Sequence, residues 1–218
     1  MKKLLVRLGL FVFAAFLCFC LGSCLGSRAE IVLEAGGGGK LNLEYRISRR
    51  FQSIGALDGN ARWPSVPVDR ADFERSIARL NAGGPEAVKL LSFSVKEDGP
   101  DLIYGAVIGF SRLEDILPLL DYGERPSLVQ GERRTLVLRL VPGPEAGGEP
   151  ADPGLLALAE EALRGYDLTV SLSAPSPVEL RIRGGTLPVE QDGRKAGFSV
   201  PVYDLITRPG PLTAEFVF

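Results

Sequence analysis

The chain has 218 residues, with 25 lysines and arginines against 27 aspartates and glutamates, three cysteines and no histidine. A hydrophobic fraction of 45% suits an ordinary globular domain and excludes a collagen-like or low-complexity chain. The lack of histidine excludes Ser-His-Asp and Cys-His nucleophile systems and every histidine-ligated metal. A formal net charge of −2 gives no support for nucleic-acid binding.

The N-terminal segment is typical of an export signal. Lys2, Lys3 and Arg7 precede an uncharged apolar run over residues 8–22. At about 15 residues, this run is too short for a bilayer span but suits the apolar region of a signal peptide. It ends in Leu21-Gly22-Ser23-Cys24, which resembles the lipobox of bacterial lipoproteins, where the cysteine is lipidated and becomes the new N-terminus. An ordinary signal peptide with incidental cysteines is the alternative.

Removal of residues 1–23 changes the cysteine and charge balance. The mature chain would carry 22 basic and 27 acidic residues, a net charge of −5, and it would lose Cys18 and Cys20. Cys24 would be its only cysteine, so no internal disulfide can form. Two or three acyl chains, palmitate among them, would anchor it durably in the membrane. We expect a short tether at 24–29, of which 25–29 can reach roughly 17 Å, before a single domain over 30–218.

The mature chain begins with a predicted hairpin. An aliphatic segment at 31–35, four glycines at 36–39 and strict alternation over 41–48 indicate two strands with one wet face. The glycine run before Lys40 also suggests a phosphate-binding loop. That alternative is disfavoured because Leu41 stands where Ser or Thr is required and a strand pattern follows.

Residues 51–68 are irregular and hold Trp63, the only tryptophan, beside Pro64 and Pro67. We expect Trp63 to plug one end of the core, with contact to a ligand or to the membrane interface as the alternative. Asp69 then caps a predicted helix that ends at the 81–85 segment. A second hairpin follows around the turn at 97–100, with apolar residues on one face of its first strand: Leu91, Phe93 and Val95.

Ser111 to Glu114 match a capping box, which predicts a helix that Pro118 shortens or kinks. Residues 127–130 and 135–141 predict a third hairpin. A loop rich in proline and glycine occupies about 142–153, and we expect it to be exposed and flexible.

The C-terminal part starts with a third predicted helix at 155–164, capped by Asp152 and closed by Gly165. Apolar alternation at 168–172 and 178–182 predicts a strand pair. A turn at 191–194 precedes a further strand, and the last strand pattern covers 212–218, which completes the order of elements.

Hairpins separated by single helices predict an α+β fold, with a mainly antiparallel sheet and about three short helices on one face. A mature chain of this size buries enough surface to fold without a disulfide or a metal.

Two stretches resemble the LppM-type domain of bacterial lipoproteins, and similar lipoproteins of unknown function occur in spirochaetes. The first is the strand, glycine turn and strand over 31–48. The second combines Pro177-Val178, Gly185, Asp192-Gly193-Arg194 and the run from Phe198 to Pro201. The resemblance spans roughly residues 30–218. It implies an extracytoplasmic α+β module suspected of binding lipid or glycolipid, with no catalytic residues to carry over.

Other candidate groups carry little chemistry. Adjacent carboxylates occur only in predicted turns or on helix faces, where catalytic pairing is not expected: Glu97-Asp98, Glu114-Asp115 and Glu160-Glu161. Arginine groups could bind lipid phosphates or could instead protect strand edges: Arg49-Arg50, Arg133-Arg134, Arg181 and Arg183. We predict no enzyme activity, no metal and no cofactor.

The leading hypothesis is a membrane-anchored lipoprotein that binds a lipid or glycolipid between its helices and its sheet at the cell envelope. A non-catalytic scaffolding lipoprotein that meets an unidentified protein partner is the alternative, and a hydrolase using carboxylates alone is the third. We expect an extracytoplasmic location, and the sequence leaves open whether the inner or the outer membrane holds the anchor.

Overall fold

The structure is a computed structural model, and it describes residues 26–49, 69–82, 86–120, 126–141, 153–208 and 210–218. Within this part of the chain the strands are β1 Ser27–Leu33, β2 Gly39–Ser48, β3 Val88–Asp98, β4 Asp101–Phe110, β5 Ser127–Val129, β6 Thr135–Val141, β7 Asp167–Ser173, β8 Glu179–Arg183, β9 Val189–Asp192, β10 Lys195–Pro201 and β11 Leu212–Val217. The α-helices are α1 Arg70–Asn81, α2 Pro153–Leu163 and α3 Val202–Ile206, and a 3-10 helix covers Leu113–Leu120.

The strands form two sheets. The larger has the order β3-β4-β2-β1-β7-β10-β9, and the smaller has the order β5-β6-β11-β8. Every pairing is antiparallel except that of β1 with β7. The fold class is therefore α+β, as predicted, but the chain builds two sheets where the alternation suggested one.

The core lies between the two sheets. Phe198 of the larger sheet and Phe216 of the smaller one meet with their ring centroids 6.3 Å apart, and both side chains are buried. The 3-10 helix adds its own buried leucines and isoleucine to the same core, and α1 adds Phe73. The ring of Phe73 lies 5.6 Å from that of Phe93 and 6.4 Å from that of Tyr45. These two helices and the smaller sheet thus cover one face of the larger sheet.

Several local predictions are confirmed. The hairpins β1–β2, β3–β4 and β5–β6 form where turns separate the alternating segments. The glycine turn is closed by a hydrogen bond of 2.8 Å from the Glu34 amide to the Gly38 carbonyl, and Lys40 lies in the following strand. Asp69 caps α1 by accepting a hydrogen bond from the amide of Asp72. Gly165 follows α2 with a φ of +82°.

Other predictions are wrong, each for a tertiary reason. The strands β7 and β8 do not pair, because β7 joins the larger sheet and β8 the smaller one. The capping box at Ser111 does not form, since the Ser111 amide donates to the carbonyl of Ala87. The carboxylate of Asp115 accepts from the amide of Arg112 instead. Helix α3 was not predicted, and at five residues it is too short to show a period.

Two boundaries also change. Strand β1 begins at Ser27, so residues 27–29 belong to the domain and not to the predicted tether at 24–29. In β3 a register shift between Leu90 and Ser92 breaks the alternation. Leu91, which the shift leaves without a partner in β4, is therefore 52% exposed, although the sequence placed it on an apolar face. Val95 keeps the core face, opposite Tyr104, but is 48% exposed because β3 is an edge strand.

The free energy of unfolding should fall at alkaline pH because of Tyr45. Burial raises the pKa of this tyrosine from 10 to about 12. Between these values the unfolded chain has lost the tyrosine proton while the folded chain keeps it, so stability decreases by up to about 1.4 kcal/mol per pH unit from this group. Urea denaturation at pH 9, 10.5 and 11.5 measures the slope. Tyr45→Phe should make it shallower, and an unchanged slope in that variant would contradict the assignment.

Candidate functional site

The residues that sequence reasoning singled out lie outside the described ranges. These are the lipidation candidate Cys24, the cleavage motif Leu21-Gly22-Ser23 and the ligand or membrane candidate Trp63. The first described residue is Gly26, two positions after Cys24. In the described part of the chain, no helix is long and apolar enough to cross a membrane. Those same residues include no group of three or more cysteine, aspartate or glutamate side chains placed to hold a metal ion.

One end of the larger sheet is closest to the candidate anchor, and we call it the anchor-side end. Strands β1, β4 and β7 begin there, and β2 ends there. The carbonyl of Gly26 accepts a hydrogen bond of 2.8 Å from the amide of Arg46, which fixes the entry of the chain into the sheet. Arg49, at the same end, pairs with Glu97 at 2.6 Å.

A buried carboxylate organises the anchor-side end. Asp101 is only 4% exposed, and its two oxygens accept hydrogen bonds from Arg46 Nε at 2.7 Å and from the Tyr166 hydroxyl at 2.8 Å. A second nitrogen of Arg46 lies 3.1 Å from the carboxylate of Asp98. Burial, together with the hydrogen bond to Asp101, raises the pKa of Tyr166. Because the Asp101 carboxylate bonds both to the Tyr166 hydroxyl and to Arg46, the cluster ties the strand ends together.

The space between the larger sheet and its covering elements is filled. Side chains from both sides are fully buried there, including Leu41, Ile108, Leu113, Leu136 and Phe216. We expected a lipid in this space, between helices and sheet. The five side chains named here leave no accessible surface that an acyl chain could contact between them.

The opposite, outer face of the larger sheet is polar and carries a shallow groove of about 280 Å³. Its lining comprises Arg28, Glu30, Asn42, Leu43, Glu44, Ser92, Ser94, Gly105, Ala106 and Val107. Gly105 keeps the groove open, because a Cβ there would lie 2.8 Å from Ser94 Oγ. We call this surface the outer groove.

Charges in the outer groove are partly paired. Glu30 accepts hydrogen bonds from Lys195 at 3.1 Å and from Asn42 at 3.2 Å, and these bonds lower the pKa of Glu30. Arg28 and Glu44 face each other across β1 and β2 and are both exposed. The groove therefore offers a guanidinium, carboxylates, an amide and hydroxyls to a ligand, which suits a polar or hydroxyl-rich group. In the sequence, strict alternation over 41–48 predicted that Asn42 and Glu44 lie on a solvent-exposed face of the strand.

Those arginines considered for lipid phosphate that lie in the described part of the chain are engaged within it, and Arg50 lies outside the described residues. Arg183 pairs with Glu215 at 2.7 Å, and Arg181 pairs with Glu179 at 2.8 Å. Arg133 donates to the carbonyls of Pro177 and Val217, while the guanidinium of Arg134 lies 5.0 Å from the centre of the Phe218 ring. These contacts favour a structural role for this group.

The fold and its surfaces thus define a two-sheet α+β domain with a filled core and a polar outer groove. No family model matches the chain, and no curated protein matches it. Among solved structures, the chain is similar to the NMR structure of the folded domain of LppM from Mycobacterium tuberculosis. The identity is 13%, the TM-score is 0.45, and the match covers 89% of this chain and 90% of that one. This neighbour is an LppM domain, the type of domain that the two sequence stretches resemble. Similarity at this level says nothing about what this chain binds or how it is attached.

Proposed function

We propose that this chain is a membrane-anchored bacterial lipoprotein that acts as a non-catalytic binding module on the extracytoplasmic side of the cell envelope. One observation supports it most directly. The folded domain begins at Ser27, immediately after the candidate lipidation site at Cys24. Three residues span roughly 10 Å, so acyl chains on Cys24 would hold the anchor-side end against the membrane.

The binding surface in this proposal is the outer groove. Because the core is filled, a lipid or glycolipid would be recognised through its polar head group and not through an enclosed acyl chain. Arg28 is the second residue of β1, so the groove starts close to the anchor and within reach of head groups. Sugar hydroxyls both donate and accept hydrogen bonds, which matches the mixture of Asn42, Glu44 and serine side chains.

A protein-binding lipoprotein is the second candidate, and a specific observation favours it. The exposed large hydrophobic residues of the described chain all lie on edge strands, namely Leu91 and Val95 on β3, Val129 on β5 and Val189 on β9. Exposed strand edges are the places where another chain can add a strand.

The head-group proposal is tested by ligand recovery. The full chain is solubilised from its own membranes in mild detergent and purified, and bound lipids are identified by mass spectrometry. We expect a glycolipid to copurify with the wild type and to be reduced at least tenfold in Arg28→Ala. Lys40→Ala is the matched control. Like Arg28, Lys40 is an exposed cation on the outer face of the larger sheet, but it lies in β2 and outside this groove. Equal recovery from all three proteins, or no lipid from any of them, would contradict head-group binding in the groove.

A further inference from the structure

The outer edge of β3 is the longest unpaired strand edge in the described part of the chain. Its 11 residues pair only with β4 among the described strands, whereas the opposite edge strand, β9, has four. The Asn81 side chain bonds to the backbone N–H and C=O of Val88, so the open edge runs from Lys89 to Asp98. Monomeric proteins usually keep edge strands short or cover them, since their free N–H and C=O groups can accept another strand. The long edge of β3 therefore needs an explanation.

The side chains along this edge are apolar in the middle and charged at the ends. Leu91 and Val95 are both about half exposed, and Lys89 lies near one end while Asp98 lies at the other. Register with β4 places Lys89 opposite Gly109 and Ser94 opposite Gly105 on the polar outer face. Phe93 and Val95 stand opposite Ala106 and Tyr104 on the core face.

We propose that β3 pairs antiparallel with β3 of a second copy of this chain, around a two-fold axis through Ser94. In this register Phe93 lies opposite Val95 of the second copy, on the same face. The register shift between Leu90 and Ser92 then brings Lys89 opposite Asp98 of the second copy. Both side chains are exposed and also pair within their own chain, Lys89 with Glu86 at 3.2 Å and Asp98 with Arg46 at 3.1 Å. Opposite charges and apolar pairs placed directly across two strands stabilise the pairing, and the symmetry doubles each contact.

Neighbouring registers are less favourable. An axis through Phe93 places Lys89 opposite Lys96 of the second copy, which is a repulsive pair. An axis through Val95 places Phe93 opposite Glu97 and sets no opposite charges directly across. The axis through Ser94 also sets one apolar residue, Leu90, against Glu97, but it adds the pair of Lys89 with Asp98. Of these three registers, only the one through Ser94 places opposite charges directly across the two strands, and we therefore propose it for a second copy of the same strand.

The dimer has a consequence for the outer groove. Ser92 and Ser94 line the groove and belong to β3, so two grooves would meet on one continuous polar face. The two-fold axis is perpendicular to the joined sheet, and it places the two anchor-side ends at opposite ends of that sheet. This orientation rests on the proposed lipid anchor. Both tethers can reach one membrane only if the joined sheet lies along the membrane surface, with its strands parallel to that surface.

A cysteine at the axis tests the pairing in intact cells. Residues opposite each other in an antiparallel pair have Cα atoms within the range that a disulfide requires. Full-length Ser94→Cys should therefore form a disulfide-linked species of twice the chain mass after mild oxidation, seen by non-reducing electrophoresis. Val189→Cys is the matched control, because it places a cysteine on the opposite edge of the same sheet, at another exposed position. The control should stay largely uncrosslinked.

A second variant separates loss of pairing from loss of folding. Val95→Lys introduces a charge opposite Phe93 and should weaken the dimer at least tenfold, measured by sedimentation of the detergent-solubilised full chain. Val189→Lys should leave the dimer unchanged, and circular dichroism should show both variants folded. Equal crosslinking of Ser94→Cys and Val189→Cys, a crosslinked species of another mass, or a wild type that sediments as a monomer would each overturn the proposal. None of these outcomes bears on acylation of Cys24, so the two proposals fail separately.

Discussion

Replacement of Cys24 by serine should abolish incorporation of labelled palmitate completely and leave the chain unprocessed. In the proposed lipoprotein the lipid would be attached through a thioether at Cys24, and a serine hydroxyl is far less nucleophilic than a thiolate. Because lipidation precedes removal of the leader in bacterial lipoproteins, the variant should keep residues 1–23 and migrate above the wild type on denaturing gels. Labelling in culture followed by immunoprecipitation gives both readouts at once.

The matched control for this experiment is Cys20→Ser. It removes a thiol from the apolar part of the same leader and leaves the Leu21-Gly22-Ser23-Cys24 quartet intact. This variant should be labelled and shortened like the wild type. Label that persists in Cys24→Ser, or disappears equally in both variants, would contradict acylation at position 24.

Phe216→Ala should lower the free energy of unfolding by about 4 kcal/mol. Phe216 has no exposed surface, and its ring meets Phe198 across the space between the two sheets. Removing the ring leaves a cavity that neighbouring side chains on both sheets can only partly fill. The loss is measured by urea denaturation of the full chain at neutral pH, with wild type and variant compared at the same ionic strength.

Val189→Ala is the control for surface effects. It removes apolar atoms from a side chain that is 49% exposed on an edge strand, and it should cost less than about 0.5 kcal/mol. The difference between the stability losses of Phe216→Ala and Val189→Ala tests whether the space between the two sheets is filled. If the space between the sheets were an open lipid pocket, truncation of Phe216 would create no new void, and its cost would fall towards that of the control.

Local patterns in the sequence predicted local structure well. Each confirmed hairpin joins two alternating segments through a turn of a few residues, so the pairing partner is also the nearest strand along the chain. The capping of α1 by Asp69 is likewise a contact over three residues. In such cases the residues that decide the structure lie within one window of the sequence.

Long-range pairings could not be predicted in the same way. Strand β1 pairs with β7 in parallel, across more than a hundred residues, and no local pattern marks the two as neighbours. Ala174 and Val178 donate hydrogen bonds to the turn at Arg194 and Gly193, which carries the chain away from β7 and towards the smaller sheet. The apolar alternation at 178–182 would be the same whether β8 paired with β7, as predicted, or with β11, as observed.

The candidate sites show the same division. The polar face that forms part of the outer groove was visible as alternation over 41–48, because a wet face has period two. The cluster at the anchor-side end was not visible, since Arg46, Asp101 and Tyr166 are separated by 55 and 65 residues and match no motif. The exposure of Leu91 and Val95 follows from the register shift and from the edge position of β3, which are both properties of the sheet.

The chemical state of the mature N-terminus tests the proposed attachment most directly. The protein is isolated from membranes and digested with trypsin, and the peptide from Cys24 to Arg28 is analysed by mass spectrometry. We predict that this peptide is the N-terminus of the mature chain and that Cys24 carries a diacylglyceryl group on its sulfur. An unmodified Cys24, or a mature chain that begins at any other residue, would contradict a lipid-anchored domain.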